Sequence, residues 1–231
     1  MEELLKKPQT NKGRETLNNL LSAATQLIYE RGYYGANIAD ITRLAGVATG
    51  TFYVYFDSKL SLYRFLLRHF SHQIRMELSE KTADCANRRE AEREGVRAWL
   101  EYVLANPYVY NVIWESLYVD RRLFDEYYES FSRAYARRLS AGKETGEVAD
   151  IDNTVLSYAL MGISSFIGLR YCLTNRGERE PPWIADEVMK LLENGMFNDA
   201  EPVRRPREIR HRQKMGIRVE LDYSLLDNND T

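Results

Sequence analysis

A chain of 231 residues, 44% apolar and 29% charged, has the composition of a soluble globular protein and is long enough for one or two cores. That balance excludes a collagen-like or low-complexity chain, and Cys85 and Cys172 lie too far apart to suggest a zinc knuckle or a disulfide framework. The formal net charge of -2 hides an asymmetry, because residues 1–75 hold ten Lys and Arg against six Asp and Glu, or +4, leaving -6 for the remainder. A basic head on an acidic body is the charge distribution of a protein that meets nucleic acid at one end.

The first twelve residues are too polar for a signal peptide, so a cytoplasmic protein is expected. Lys6, Lys7, Lys12 and Arg14 make residues 1–13 a basic arm. Leu17, Leu20, Leu21, Ala24, Leu27 and Ile28 then recur at helical spacing and define a first helix, which Gly32 closes. Asn37 is placed to cap a short second helix whose Ile38, Ile41 and Ala45 face inward, and Gly46 allows a tight turn before Val47 returns to the core. A third helix is predicted from about Thr49 to Phe56. Phe52 and Phe56, four apart, share its buried side, while Thr49, Gly50, Thr51, Tyr53, Val54 and Tyr55 stand on its other face or flanks. A fourth helix starts after Asp57 with Ser58 as its cap, and Leu60, Leu62, Tyr63, Leu66 and Leu67 continue the apolar pattern.

In order and with matching gaps, Ala23-Ala24, Glu30-Arg31-Gly32-Tyr33, Asp40-Ile41, Ala45-Gly46-Val47, Gly50-Thr51-Phe52-Tyr53, Tyr55-Phe56 and Ser58-Lys59 resemble the amino-terminal segment of the tetracycline-repressor (TetR) family. The resemblance implies an all-α protein of about nine helices, with a three-helix helix-turn-helix DNA-binding domain over residues 14–60. A larger helical domain for ligand binding and dimerisation would span 61–198, and residues 199–231 would form an extension of unassigned role. It also implies that Thr49, Gly50, Thr51, Tyr53 and Val54 approach bases or their flanking phosphates, that Tyr55 and Lys59 hold the phosphate backbone, and that Asn37 and Arg43 join the DNA-contacting set. Ala48 stands where the family often has Ser, so the usual hydroxyl cap of the recognition helix is missing or displaced to Thr49. Residues 48–56 contain no Arg, Lys, Asn or Gln, so readout should rest on methyl contacts from Val54 and Thr51, on Tyr53 and on DNA shape.

Beyond residue 70 the pattern stays helical, with breaks expected near Asn87, Asn106-Pro107, Gly142 to Gly146 and Gly177 to Pro182. An aromatic-rich belt from Trp99 to Tyr135 suits an apolar pocket with scattered hydroxyls. Tyr102, Trp114, Tyr118, Tyr128 and Phe166 are the candidates for binding a small apolar or aromatic effector. Thr154 to Leu169 carries no formal charge, but it is shorter than the ~18 residues a membrane span needs and reads as a buried or interface helix. The helix that contains it, Asp152 to Cys172, is expected from the resemblance to build a two-fold dimer interface with the later helix Trp183 to Phe197, through Gly162, Ser165, Gly168, Trp183, Val188 and Leu191. A homodimer would demand a palindromic duplex operator. The basic cluster from Arg204 to Lys214 is a solvated or partner-docked tail, or an accessory DNA contact.

No catalytic or metal-binding constellation stands out, and no cofactor is expected. His69 and His72 lack a Cys or carboxylate at ligand spacing, and there is no Walker loop, GxSxG elbow or ExxH pair. The reading is a DNA-binding, ligand-responsive repressor rather than an enzyme. The alternatives are a DNA-binding regulator without a ligand, and a small helical lipid-handling enzyme.

Overall fold

The computed structural model describes residues 4–174 and 178–194, which form helices joined by short irregular links, with no strand among them. The helices are α1 (Asn11–Gly35), α2 (Ile38–Leu44), α3 (Thr49–Tyr55), α4 (Lys59–Lys81) and α5 (Arg88–Ala105), followed by α6 (Tyr108–Val119), α7 (Arg121–Glu144), α8 (Asn153–Gly168) and α9 (Pro181–Asn194). The expected all-α architecture, with about nine helices, is therefore present. The basic cluster beyond Arg204 and the last residues of the predicted 183–197 segment lie outside the described residues.

Local chemistry sets the boundaries. Thr10 caps α1 by accepting from the Gly13 amide, and Asn37 caps α2 by accepting from the Asp40 amide. Ser58 and Ser61 exchange side-chain-to-backbone bonds in a reciprocal box at the start of α4. Gly32, with φ of 72°, kinks α1 one turn before its end, where a Cβ would be strained. As the sequence implies, Asn87 caps α5, and Asn106-Pro107 separates α5 from α6. One break lies outside those expected: Asp120 ends α6 and caps α7, accepting from the Arg122 amide, with no Gly or Pro beside it.

The head, α1 to α3, closes over Leu20, Ile28, Ile41, Phe52 and Phe56, each essentially fully buried. Burying a side chain of this size stabilises the fold by roughly 1.5–3 kcal/mol, so these five positions fix how α3 sits on α1 and α2. α4 leads from head to body, where α6 packs on α1, α5 packs on α4 and α9, and α8 packs on α5 and α7. The α8 rod continues as a π-helical turn, Leu169–Thr174, and near that transition the carbonyls of Ser164 and Ser165 accept from the Trp99 indole (3.2 Å) and the Tyr110 phenol (2.8 Å). The run Asn153–Thr174 nearly coincides with the helix expected from Asp152 to Cys172, and its last turn is π-helical. Among the described residues it is the one helix long and apolar enough, by length and composition, to cross a membrane.

Candidate functional site

Three features of the molecule bear on function: the outer face of α3, a cavity in the body, and the joint between them.

α3 presents Thr49, Gly50, Tyr53 and Val54 to solvent, with Thr51 half-buried, while Phe52 holds the helix from behind. Tyr53 is 51% exposed and its ring meets Phe52 edge-on at 5.3 Å, which braces an aromatic group that projects outward. Nothing lies within 4 Å of where a Cβ on Gly50 would stand, so the face is open there. The α3 start carries no side-chain cap, as Ala48 implies, although the Thr49 hydroxyl lies 3.4 Å from that of Thr42. Arg43 is exposed and pairs with Asp40, and Asn37 engages both polar atoms of its side chain with Asp40 in the first turn of α2.

Tyr55 and Lys59 depart from expectation. Tyr55 is buried, and its phenol donates to the Gly13 carbonyl at 3.1 Å while its own carbonyl accepts from the Leu5 amide at 2.9 Å. It therefore ties residues 4–13 to the end of α3 and is turned away from any phosphate. Lys59 donates to the Tyr33 carbonyl at 2.7 Å and sits 4.2 Å from the centre of the Tyr33 ring, and burial lowers its pKa. The reason is geometric: Tyr55 ends α3 one turn after Phe52 and shares its buried side, while Lys59 opens α4 within reach of the Tyr33 carbonyl on α1. The arm that Tyr55 anchors leaves Lys6, Lys7, Lys12 and Arg14 exposed on the head.

The body holds a cavity of about 470 Å³, partly open to solvent, between α4, α5, α6, α7 and α8. Trp99, Tyr110, Trp114, Tyr127, Tyr128 and Phe131 form its aromatic interior. Burial pushes the phenols of Tyr127 and Tyr128 above their usual range, so both stay neutral. Of the five residues expected to bind an effector, Trp114 and Tyr128 line this space, whereas Tyr102, Tyr118 and Phe166 do not. Tyr102 packs half-buried against the core on the α5 side, with its pKa raised to about 12 chiefly by burial. Tyr118 and Phe166 are exposed at 79% and 64%.

The cavity also has a polar wall that hydropathy reading missed, carrying Arg75, Arg88, Glu92, Tyr135, Arg137 and Arg138. Tyr135 donates to Glu92, and Arg88 both bonds that carboxylate and lies 5.5 Å from the Tyr135 ring centre. Arg137 and Arg138 follow Ala134 and Tyr135 at helical spacing, so this signal was available in a plot of charge around α7. His72 also lines the cavity and His69 stacks on Phe65, so neither meets a metal-type partner. Among the described residues no group of His, Cys, Asp and Glu stands close enough to hold a metal ion.

The joint is built around the Gly32 kink, which leaves the Tyr33 amide without a helical acceptor. Glu115 of α6 accepts from it at 2.5 Å. Tyr34 donates to the Tyr118 carbonyl at 3.2 Å, Tyr63 of α4 donates to the Val112 carbonyl of α6, and Arg64 pairs with Asp120 at 2.9 Å.

The residues expected at a dimer interface divide. Gly162 is open to space, and Trp183 and Leu191 are exposed, with Val155, Tyr158 and Phe166 extending the same apolar stripe along α8. Gly168, Ser165 and Val188 are instead packed inside the protomer. A Cβ on Gly168 would fall 2.0 Å from the Tyr110 hydroxyl, Ser165 lines the cavity, and Val188 is buried in the core.

Residues 20–65 match the family model described as bacterial regulatory proteins, tetR family. The chain is 29% identical over 105 residues, 46% of its length, to the HTH-type transcriptional activator FasR of Mycolicibacterium smegmatis, and this match spans 48% of that protein's length. It is 25% identical over 201 residues to the HTH-type transcriptional regulator YdgC of Bacillus subtilis, covering 84% of this chain and 99% of YdgC. Its fold is that of FadR from Bacillus subtilis, crystallised with stearoyl-CoA: the TM-score is 0.67 at 19% identity, covering 78% of this chain and all of that one.

Proposed function

We propose, from the premise that this chain belongs to the TetR family, that it acts as a homodimeric repressor whose grip on a palindromic operator is released by a small, largely apolar or aromatic effector in the body cavity. The observation that supports this reading is a joint between head and body: α6, whose Tyr110 and Trp114 line the cavity, holds the Tyr33 amide near the end of α1 through Glu115, and Lys59 at the start of α4 holds the Tyr33 carbonyl.

In this account Thr49, Gly50, Thr51, Tyr53 and Val54 enter the major groove, where hydroxyls and the phenol bond phosphates or base edges and Val54 meets thymine methyls. Arg43 and the exposed arm of residues 4–14 add positive charge along the phosphates. The exposed stripe of α8, together with Trp183 and Leu191 of α9, is the surface that a second copy would cover. An apolar stripe of that extent is otherwise left facing water. Two copies would then set two α3 helices about one DNA turn apart or a multiple of it, which makes the operator palindromic.

An effector that binds better when the heads are misaligned lowers DNA affinity by the same coupling energy. The stearoyl-CoA held by the FadR relative carries a long apolar acyl chain, which supports a ligand with a large apolar part for this cavity. The test is to measure binding to the operator by fluorescence anisotropy with and without compounds that raise the melting temperature of the protein. A stabilising compound that weakens DNA binding at least several-fold is expected. If stabilising compounds leave DNA affinity unchanged, the effector reading is wrong.

A further inference from the structure

The charge of the cavity is at odds with a purely apolar ligand. Four arginines, Arg75, Arg88, Arg137 and Arg138, face it against the single acid Glu92, a net of +3 within a chain whose formal charge is -2. Arg88 and Glu92 neutralise one another, with side-chain exposures of 12% and 11%. Of the other three, two are held by hydroxyls and Arg137 is exposed. Arg75 donates to the hydroxyls of Ser71 (2.5 Å) and Ser130 (3.1 Å), and Arg138 donates to those of Thr82 and Ser79, both at 3.1 Å. None of the three has a carboxylate partner among the described residues, whereas Arg64, Arg93, Arg97 and Arg133 all reach one. A guanidinium satisfied by neutral oxygens keeps its full charge, and each has five N–H donors of which these bonds use only a few.

This charge is polarised along the cavity. Tyr127 and Arg138 are eleven residues apart on α7, and Trp99 and Arg88 eleven apart on α5, so at 1.5 Å rise per residue each helix spans ~16 Å from an aromatic to a cationic end. The two cationic ends coincide, since Arg88 stacks on Tyr135 one turn before Arg138. The two aromatic ends converge on Tyr110, whose ring meets Trp99 at 5.7 Å and which lines the cavity beside Tyr127. Arg75, set against Phe131 at 5.3 Å, lies between.

We propose that the cavity selects an anionic amphiphile, with its apolar tail against Trp99, Trp114 and Tyr127 and a compact carboxylate or phosphate head on Arg137 and Arg138. This assignment rests on the effector reading above and specifies the ligand class for the same cavity. The head forms charge-assisted, two-pronged bonds that a neutral chain cannot, and it meets guanidinium charge that no carboxylate partner offsets. Arg75 adds a third charge partway along the tail.

The test is calorimetric titration of the full chain with dodecanoate, dodecyl phosphate and dodecanol, which share a tail and differ in head, alongside the DNA-binding assay. At least one anion should bind on the order of tenfold more tightly than dodecanol, a difference of about 1.4 kcal/mol. The stronger of the two anions identifies the head. The exposed double variant R137Q/R138Q should lose that advantage while binding dodecanol as wild type does, with its melting temperature as the control for folding. Equal binding of dodecanol and both anions, anion binding untouched by the double variant, or binding of none of the three would overturn the assignment. Release of DNA by dodecanol as effective as by the anions would overturn the head-group assignment and leave the effector reading standing. Anion binding that does not alter DNA affinity would do the reverse.

Discussion

The Glu115 carboxylate accepts the Tyr33 amide at 2.5 Å, across a separation of 82 residues, and so fastens the cavity-bearing body to the last turn of the first head helix. Lys59 holds the other side of the same residue through its carbonyl. Shifts of α6 or α4 around a bound ligand therefore pull on one residue, Tyr33, near the end of α1. Glu115→Ala should cost about 1–3 kcal/mol of stability by leaving a part-buried amide unpaired, and should blunt the loss of DNA affinity on effector binding. Glu115→Gln, which keeps an acceptor, should recover most of the stability. Chemical denaturation combined with DNA titration, with and without effector, separates the two effects.

Tyr53 and Tyr55 are two residues apart and have opposite assignments. Tyr53→Ala removes an exposed aromatic group, so DNA affinity should fall on the order of tenfold, about 1.4 kcal/mol, with little change in melting. Tyr55→Phe removes the bond to Gly13 and should lower stability by about 0.5–1.5 kcal/mol with little direct effect on DNA contacts. Anisotropy and thermal melts on the pair check both directions. A rise in salt should weaken wild-type DNA binding steeply if the exposed arm meets phosphates.

Gly168 and Gly162 make a similar contrast on α8. At Gly168 an added Cβ would overlap the Tyr110 hydroxyl, so Gly168→Ala should destabilise the protomer by about 1–3 kcal/mol. Gly162 has open space around it, so Gly162→Ala should leave monomer stability unchanged or raised by up to ~1 kcal/mol, as helix propensity favours Ala. If α8 forms the subunit interface, the same substitution weakens self-association. Analytical ultracentrifugation over a dilution series reads that difference.

The Arg64 guanidinium, and then Arg122 and its amide, hold the Asp120 carboxyl below its ordinary value of 3.8. A carboxylate depressed in the folded state stabilises the fold above its unfolded pKa, and that contribution is lost as pH falls through the folded value. Stability should therefore decline below about pH 4, partly through Asp120. Asp120→Asn, which can still cap α7, should flatten that part of the acid limb relative to wild type. Urea melts at pH 3 to 6 would show it.

Much of the head was legible because its signals are local. Asn37 and Ser58 are caps whose partners lie three residues away, and Phe52 and Phe56 show their face by spacing alone. Tyr55 and Lys59 were misplaced because their partners, Gly13 and Tyr33, lie far off in sequence, and periodicity says nothing of which neighbour covers a hydroxyl or an ammonium. The same limit governs the body. The aromatic belt correctly announced an apolar interior, but Tyr118 and Phe166 turn outward where Trp114 and Tyr128 turn in, and the π-helical turn after Gly168 changes the register of α8 in a way no propensity marks. The Asp120 break carries no Gly or Pro, and the arginines of the cavity wall lie on separate helices that only the packing of α4, α5 and α7 brings together.

The most direct measurement is selection of bound duplexes from a random pool by the purified protein, repeated with the Tyr53→Ala variant. The account predicts enrichment of a two-fold symmetric sequence whose half-sites lie about one helical turn apart or a multiple of it, and loss of that enrichment in the variant. Recovery of an asymmetric site, of no preferred sequence, or of the same palindrome with undiminished affinity by the variant would contradict it.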